Sequence, residues 1–117
     1  MLSLLTFSVW GQNKTLEASR ISEKIKVDGR GTEASWSSAA IATDFLELNP
    51  TEGNQPRFKT EVKLLFDDNN IYILGYCYDD HPDSILTQLG ERDDRLNADP
   101  FTVSFDTYNK KLDAFTF

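Results

Sequence analysis

The clearest pattern in the chain is an alternation of apolar residues on both sides of a polar cluster. Val62, Leu64 and Phe66 recur at every second position, the Asp and Asn residues 67–70 follow, and residues 71–78 are rich in β-formers. A period of two is typical of a strand, because successive side chains point to opposite faces. The segment therefore predicts a β-hairpin.

Both faces of the second strand in this hairpin are apolar. One face carries Tyr72, Leu74, Tyr76 and Tyr78, and the other carries Ile71, Ile73, Gly75 and Cys77. Strands that are apolar on both faces usually lie between two layers. We therefore expect this strand to lie centrally between two layers, with Cys77 as a buried small hydrophobe.

A weaker alternation precedes the hairpin. Ile21, Ile25 and Val27 fall roughly on one face and predict a short strand, which Asp28 and Gly29 end.

The turn after this first strand delivers a tryptophan. Thr32 is a candidate cap for one helical turn that ends near Trp36. A large aromatic in this place either packs on the core or holds a ligand, and packing is the preferred interpretation because burying its area closes one end of a sandwich. Asp28, Gly29 and Trp36 are thus predicted structural residues.

The remaining pattern predicts strands over 41–48, 101–108 and 113–117 and an exposed loop over 49–59. Ile41, Phe45 and Leu48 are expected to turn inward. A chain of 117 residues suits one domain. Because the last predicted strand would leave an apolar edge open, the pattern predicts the N-terminal part of a larger all-β sandwich.

Charge narrows the possible partners. The chain has 19 acidic and 12 basic side chains, a formal net charge of -7. Phosphate contacts need the opposite sign, so nucleic acid is excluded as a partner, and neutral or cationic partners are easier to accommodate.

The first residues suggest export. Residues 1–11 are an apolar stretch too short to span a bilayer, with Val9 and Gly11 as the small pair of a cleavage site ahead of Gln12. The positive residues that usually open a signal are missing, so an N-terminal strand is the alternative. We expect a signal remnant over 1–11, a flexible lead-in over 12–20 and the domain over 21–117.

The chain lacks a recognisable catalytic constellation. His81 stands alone beside Pro82, with no nucleophile and orienting acid in a known order and no phosphate-binding glycine loop. We therefore expect no enzymatic activity from this domain.

Charged residues between the two hairpins are candidates for binding. Asp93, Asp94, Asp99 and Asp106 cluster around one loop and the following strand, and such oxygen-rich loops either bind a structural calcium ion or are simply solvated. Arg92 presents a donor fork that suits sugar hydroxyls, with a surface ion pair as the alternative.

Three stretches, in the same order, resemble the family 9 carbohydrate-binding modules and their relatives. The first is IKVDGRGTEASW, the second is TEVKLLFDDNNIYILGYCYDD, and the third joins ERDD to NADPFTVSFDTYNKKLDAFTF. Gly31 and Thr32 stand where the family's first turn usually has Leu-Asp, whereas Glu33 and Trp36 fit. The resemblance covers residues 21–117 and is closest to the version at the N-terminus of exported proteins of the Bacteroidetes type, which a predicted outer-membrane β-barrel follows.

The resemblance implies a β-sandwich of the jelly-roll type, with immunoglobulin-like layering, that binds sugars between aromatic side chains and in some members holds calcium. The residues that fall where the family has polar site groups are Arg92, Asp93, Asp99 and Asp106. A pair of sandwiching tryptophans has no match, because Trp10 lies in the predicted signal and Trp36 in the turn.

Two functions are therefore expected. The first is a non-catalytic, glycan-binding domain of an exported cell-envelope protein. The alternative is a structural or interaction module that precedes an outer-membrane barrel and has lost its sugar site. A continuation of the gene into barrel strands or into a glycoside hydrolase would discriminate between them.

Overall fold

The computed structural model describes residues 14–84, 100–109 and 114–117. The elements of these residues are β1 (Ser19–Arg20), α1 (Ala34–Ser38), β2 (Ile41–Ala42), β3 (Thr60–Phe66), β4 (Ile71–Cys77), a 3-10 turn (Pro82–Ser84), β5 (Ser104–Phe105) and β6 (Phe115–Thr116). Strands β1 to β4 form a main sheet, and β5 and β6 form a second, small sheet. The fold is an all-β sandwich, as the sequence predicts.

The predicted hairpin is β3 and β4, antiparallel and in register from Thr60 opposite Cys77 to Phe66 opposite Ile71. Its turn is built by Asp67, whose carboxylate accepts the backbone N–H groups of Asn69 and Asn70 at 2.8 and 2.7 Å. This is the local bonding that makes Asp and Asn favourable in turns.

The central strand of the main sheet is β3, which pairs with β1, β2 and β4. β1 pairs with β3 in parallel at Leu65 and Phe66, and β2 pairs with it antiparallel at Val62 and Lys63. Among the described strands, β4 pairs with β3 alone. Lys63 obscured this arrangement in the sequence, because a charged residue in a strand suggests an exposed edge.

The first strand also lies elsewhere than predicted. β1 covers Ser19 and Arg20 within the expected lead-in, and residues 21–27 form no strand. In this segment the N–H of Ile21 donates to the Phe66 carbonyl at 2.9 Å, and the Glu33 carboxylate accepts the N–H of Lys26 at 2.8 Å. Val27 is 92% exposed rather than on an inward face.

The core lies where α1 covers one face of β3 and β4. Trp36, Ala39 and Leu65 are its buried residues, with Ile21, Ile25, Tyr72 and Leu74 packed around them. The helix begins after Glu33, so Thr32 is not its cap. Inside the core layer, the Lys63 ammonium donates to the Trp36 carbonyl at 2.8 Å.

The predicted strand over 41–48 is reduced to β2. Asp44 takes a positive φ of 57°, which breaks an extended strand. Ile41, Phe45 and Leu48 are all exposed, which corrects the expectation that they turn inward.

The second layer packs against the opposite face of the main sheet. Phe101 lies so close to Gly75 that a Cβ there would clash with the phenyl ring. Phe105 and Phe117 meet edge to face at 6.0 Å. Between the layers lies the interlayer groove, an open cavity of about 800 Å³ lined by Leu64, Phe66, Ile71, Phe105, Phe115 and their neighbours.

Two further observations bear on the predicted environment of the chain. Cys77 is exposed, not buried, because it occupies the last position of β4 at the open end of the hairpin. The part of the chain that the structure describes contains no helix with the length and hydropathy needed to cross a membrane.

Candidate functional site

A second cavity, here called the polar cleft, opens near the start of β3. It has a volume of about 290 Å³ and is lined by Thr43, Asp44, Phe45, Gln55, Pro56, Arg57, Lys59 and Thr60. These side chains include hydroxyls, an amide, a carboxylate and two cations. The cleft therefore offers hydrogen-bond donors and acceptors side by side, as a small polyhydroxylated ligand requires.

Local backbone geometry brings the two walls of the cleft together. Gly53 donates to the Glu47 carbonyl and Glu47 donates to the Asn54 carbonyl, both at 2.9 Å, which closes the loop after β2. Gly53 has a φ of 84°, a conformation that glycine adopts without strain. The closed loop returns residues 55–57 alongside residues 43–45.

The wall formed by residues 43–45 is fixed to the segment that precedes β1. The Lys14 ammonium donates to the Asp44 carbonyl at 2.5 Å. Since that carbonyl is engaged, the Asp44 carboxylate and the Thr43 hydroxyl are the side-chain acceptors that this wall offers to a ligand.

Lys59, Glu61 and Tyr78 form an ordered triad beside the cleft. The Lys59 ammonium lies 2.5 Å from one Glu61 oxygen, and the Tyr78 hydroxyl donates to the other at 3.0 Å. The hydrogen bond from Lys59 is the larger cause, and the bond from Tyr78 the second, of a lowered pKa of Glu61. The bond to Glu61 in turn raises the pKa of Lys59 and that of Tyr78. All three groups thus keep their ordinary charges at neutral pH.

Exposed aromatic rings stand around these polar groups. Phe45 lines the cleft and is 42% exposed, and Tyr78 is 51% exposed. The ring centroid of Tyr78 lies 5.8 Å from the Lys59 nitrogen. Such rings supply flat apolar faces, next to hydrogen-bonding groups, on which the C–H face of a sugar packs.

The predicted ligand-binding residues are only in part described. Arg92, Asp93 and Asp99 lie outside the described residues. Asp106 follows β5 and is exposed, and its carbonyl accepts the N–H of Asn109 at 3.4 Å. It is not a lining residue of the polar cleft.

The predicted structural residues occupy the turn before α1. Asp28 accepts the N–H of Arg30 at 3.0 Å, and Gly29 has a φ of 74°. Trp36 is buried, with 4% of its surface exposed. As far as the structure describes the chain, no three His, Cys, Asp or Glu side chains group as a metal site would need.

Sequence reasoning missed the cleft residues Asp44, Arg57 and Lys59. A signal was available, because Arg57 and Lys59 alternate with the aromatic Phe58 at the end of the predicted loop over 49–59. What the pattern could not reveal is the partner wall, which comes from a segment predicted as strand.

A comparison with protein families identifies the family of the chain. The model described as "Carbohydrate family 9 binding domain-like" matches residues 27–117, most of the chain. The chain belongs to this family. The matched range of the family 9-like domain begins at Val27, and it includes both walls of the polar cleft and all strands except β1. Searches among curated proteins and among solved structures found no match.

Membership also bears on catalysis. The family 9-like domain is a binding domain by description, not a catalytic one, which agrees with the expectation of no enzymatic activity drawn from the sequence.

Proposed function

We propose that the chain is a non-catalytic glycan-binding domain and that the polar cleft is where the sugar binds. The family match over residues 27–117 carries this proposal. The cleft supports it, because hydroxyl, amide and charged groups surround a small cavity with exposed aromatic rings beside it. Protein sugar sites need this combination of directional hydrogen bonds and apolar faces.

The proposed setting is an exported cell-envelope protein, attached to a polysaccharide-processing partner. The apolar residues 1–11 with a small pair before Gln12 support export. A structural calcium ion in the loop with Asp93 and Asp99 stays part of the proposal, and chelation tests it.

Calorimetric titration with a panel of neutral and charged oligosaccharides, in calcium and in chelator, tests binding. We expect heat from at least one sugar, and we expect Phe45→Ala to weaken that binding. Phe115→Ala is the matched control, since it truncates an exposed phenyl in the interlayer groove instead. Silence across the panel from a cooperatively folded chain would contradict the proposal.

The same titration separates the cleft from the loop predicted by sequence. Loss of binding in Arg92→Ala, with Phe45→Ala unaffected, would move the site from the polar cleft to the acidic loop. The reverse result supports the cleft.

One observation favours a second candidate, a structural or interaction module without a sugar site. In the described part of the chain the tryptophan is buried, so no exposed indole serves as a sugar platform there. A parent gene that continues into outer-membrane barrel strands, together with calorimetric silence, would favour this alternative.

A further inference from the structure

Among the described residues, Arg57 is the cation of the polar cleft that forms no ion pair with a carboxylate. The ion pairs of the described residues join Arg20 to Asp68, Lys26 to Asp28 and Lys59 to Glu61. Within that part of the chain, the guanidinium carbon of Arg57 lies 4.9 Å from the centroid of the Phe58 ring, a cation–π contact. Such a contact leaves the N–H groups that are turned away from the ring available for hydrogen bonds.

The acidic groups near the cleft already have basic neighbours. Glu61 is bonded to Lys59 and Tyr78. Glu61 raises the pKa of Lys59, and the negative charge of the Asp44 carboxylate adds to this effect. Because Lys59 is paired with Glu61, Arg57 and Asp44 are the two charged residues of the cleft lining that form no ion pair among the described residues.

The net charge of -7 does not oppose an anion at this place. Net charge governs long-range attraction and encounter, whereas a contact inside a cleft depends on the groups within hydrogen-bonding distance. A guanidinium fork matches a planar carboxylate, and it also binds the oxygens of a sulfate.

We propose that the polar cleft binds an acidic sugar, whose carboxylate or sulfate oxygens accept hydrogen bonds from Arg57. The proposal rests on the sugar-binding function argued above and deepens it by giving the chemical class of the ligand. The remaining polar groups, among them Gln55 and Asp44, would then bond the hydroxyls of the same sugar.

The test is a set of calorimetric titrations of the 117-residue chain with matched ligands. The probes are a galacturonic acid trisaccharide, its methyl ester with the same skeleton and no charge, and a sulfated galactose trisaccharide. We expect the free acid to bind at least about tenfold more tightly than the ester, the change that one hydrogen bond to a charged group typically produces. Binding of the sulfated probe at a similar strength would show that the site accepts either anion.

Variants assign the effect to one side chain. Arg57→Gln should remove the preference for the acid, and Arg57→Lys should restore it in part, because lysine keeps the charge and loses the fork. Arg20→Gln is the control, since it makes the same change in net charge at an arginine already paired with Asp68. Arg57 is exposed, so its replacement should leave the fold intact, and a thermal melt of each variant checks this.

The two proposals fail in different ways. Equal affinity for the acid and its ester, unchanged in Arg57→Gln, would overturn the acidic-sugar proposal and leave sugar binding intact. Absence of binding by every sugar, charged or neutral, would overturn both.

Discussion

Truncation of the buried tryptophan should destabilise the domain more than any change on its surface. Trp36 is 4% exposed, and the other buried apolar residues of the described chain are Ala39 and Leu65. In so small a core, one indole supplies much of the buried apolar area. We therefore expect Trp36→Ala to lower the free energy of unfolding by about 3–5 kcal/mol.

The magnitude follows from the area that the side chain buries. A buried aromatic removes roughly 150–250 Å² from water, which at about 25 cal/mol per Å² corresponds to about 4–6 kcal/mol. This is an upper bound, because the unfolded chain already covers part of that area. Since the free energy of unfolding of a domain is about 5–15 kcal/mol, the variant would lose a large share of its stability.

Urea unfolding followed by far-ultraviolet circular dichroism measures the effect, since the substitution removes a fluorophore. Trp36→Phe should lose less stability than Trp36→Ala, because the phenyl ring retains part of the packing of the indole. Leu48→Ala, at a side chain that is 73% exposed, should change stability by no more than about 0.5 kcal/mol. If Trp36→Ala were no more damaging than Leu48→Ala, the assigned core would be wrong.

Two further predictions concern turns. In paired thermal melts, Gly31→Ala should destabilise the fold more than Gly29→Ala. Both glycines have a positive φ, but only at Gly31 would the new methyl group overlap the Leu74 side chain. Equal losses of stability in the two variants would show that this segment does not pack on the sheet. The hydrogen bond from the Tyr72 hydroxyl, and after it the bonds from backbone N–H groups, lower the pKa of Asp67 from 3.8 to about 2. The contribution of this carboxylate to folding stability is therefore present above pH 4 and is lost as the pH falls towards 2. The stability difference between the wild type and Asp67→Asn should therefore shrink over that interval in acid titrations, and a constant difference would refute the assigned bonding.

The parts of the fold that sequence predicted are those fixed by neighbours in the chain. The β3–β4 hairpin follows from alternation on both sides of a turn whose bonds Asp67 makes to residues two and three positions away. The resemblance to the family predicted the β-sandwich, and the family match agrees with this prediction.

The errors arise where distant segments decide the structure. Ser19 and Arg20 have no strand-like pattern, and they form β1 only because β3 accepts them in parallel pairing. Lys63 lies in the central strand because the Trp36 carbonyl accepts its ammonium, a contact between residues 27 positions apart. Neither the pairing of β1 with β3 nor the contact between Lys63 and Trp36 can be recognised from neighbouring residues in the sequence.

The candidate site was equally hidden from sequence. Composition marks residues 49–59 as an exposed loop, but it does not show that Arg57 faces a wall containing Asp44. The residues chosen from family resemblance, Arg92, Asp93, Asp99 and Asp106, stay predictions for the acidic loop and the strand after it.

Binding of a sugar in the polar cleft is tested most directly by nuclear magnetic resonance of the labelled chain during titration with the oligosaccharide that gives the largest heat. We expect chemical-shift changes concentrated at residues 43–45 and 55–60 and at Tyr78, which together surround the cleft and its aromatic edge. Changes confined to the interlayer groove or to the loop with Arg92, with the cleft signals unmoved, would contradict the assignment of the site.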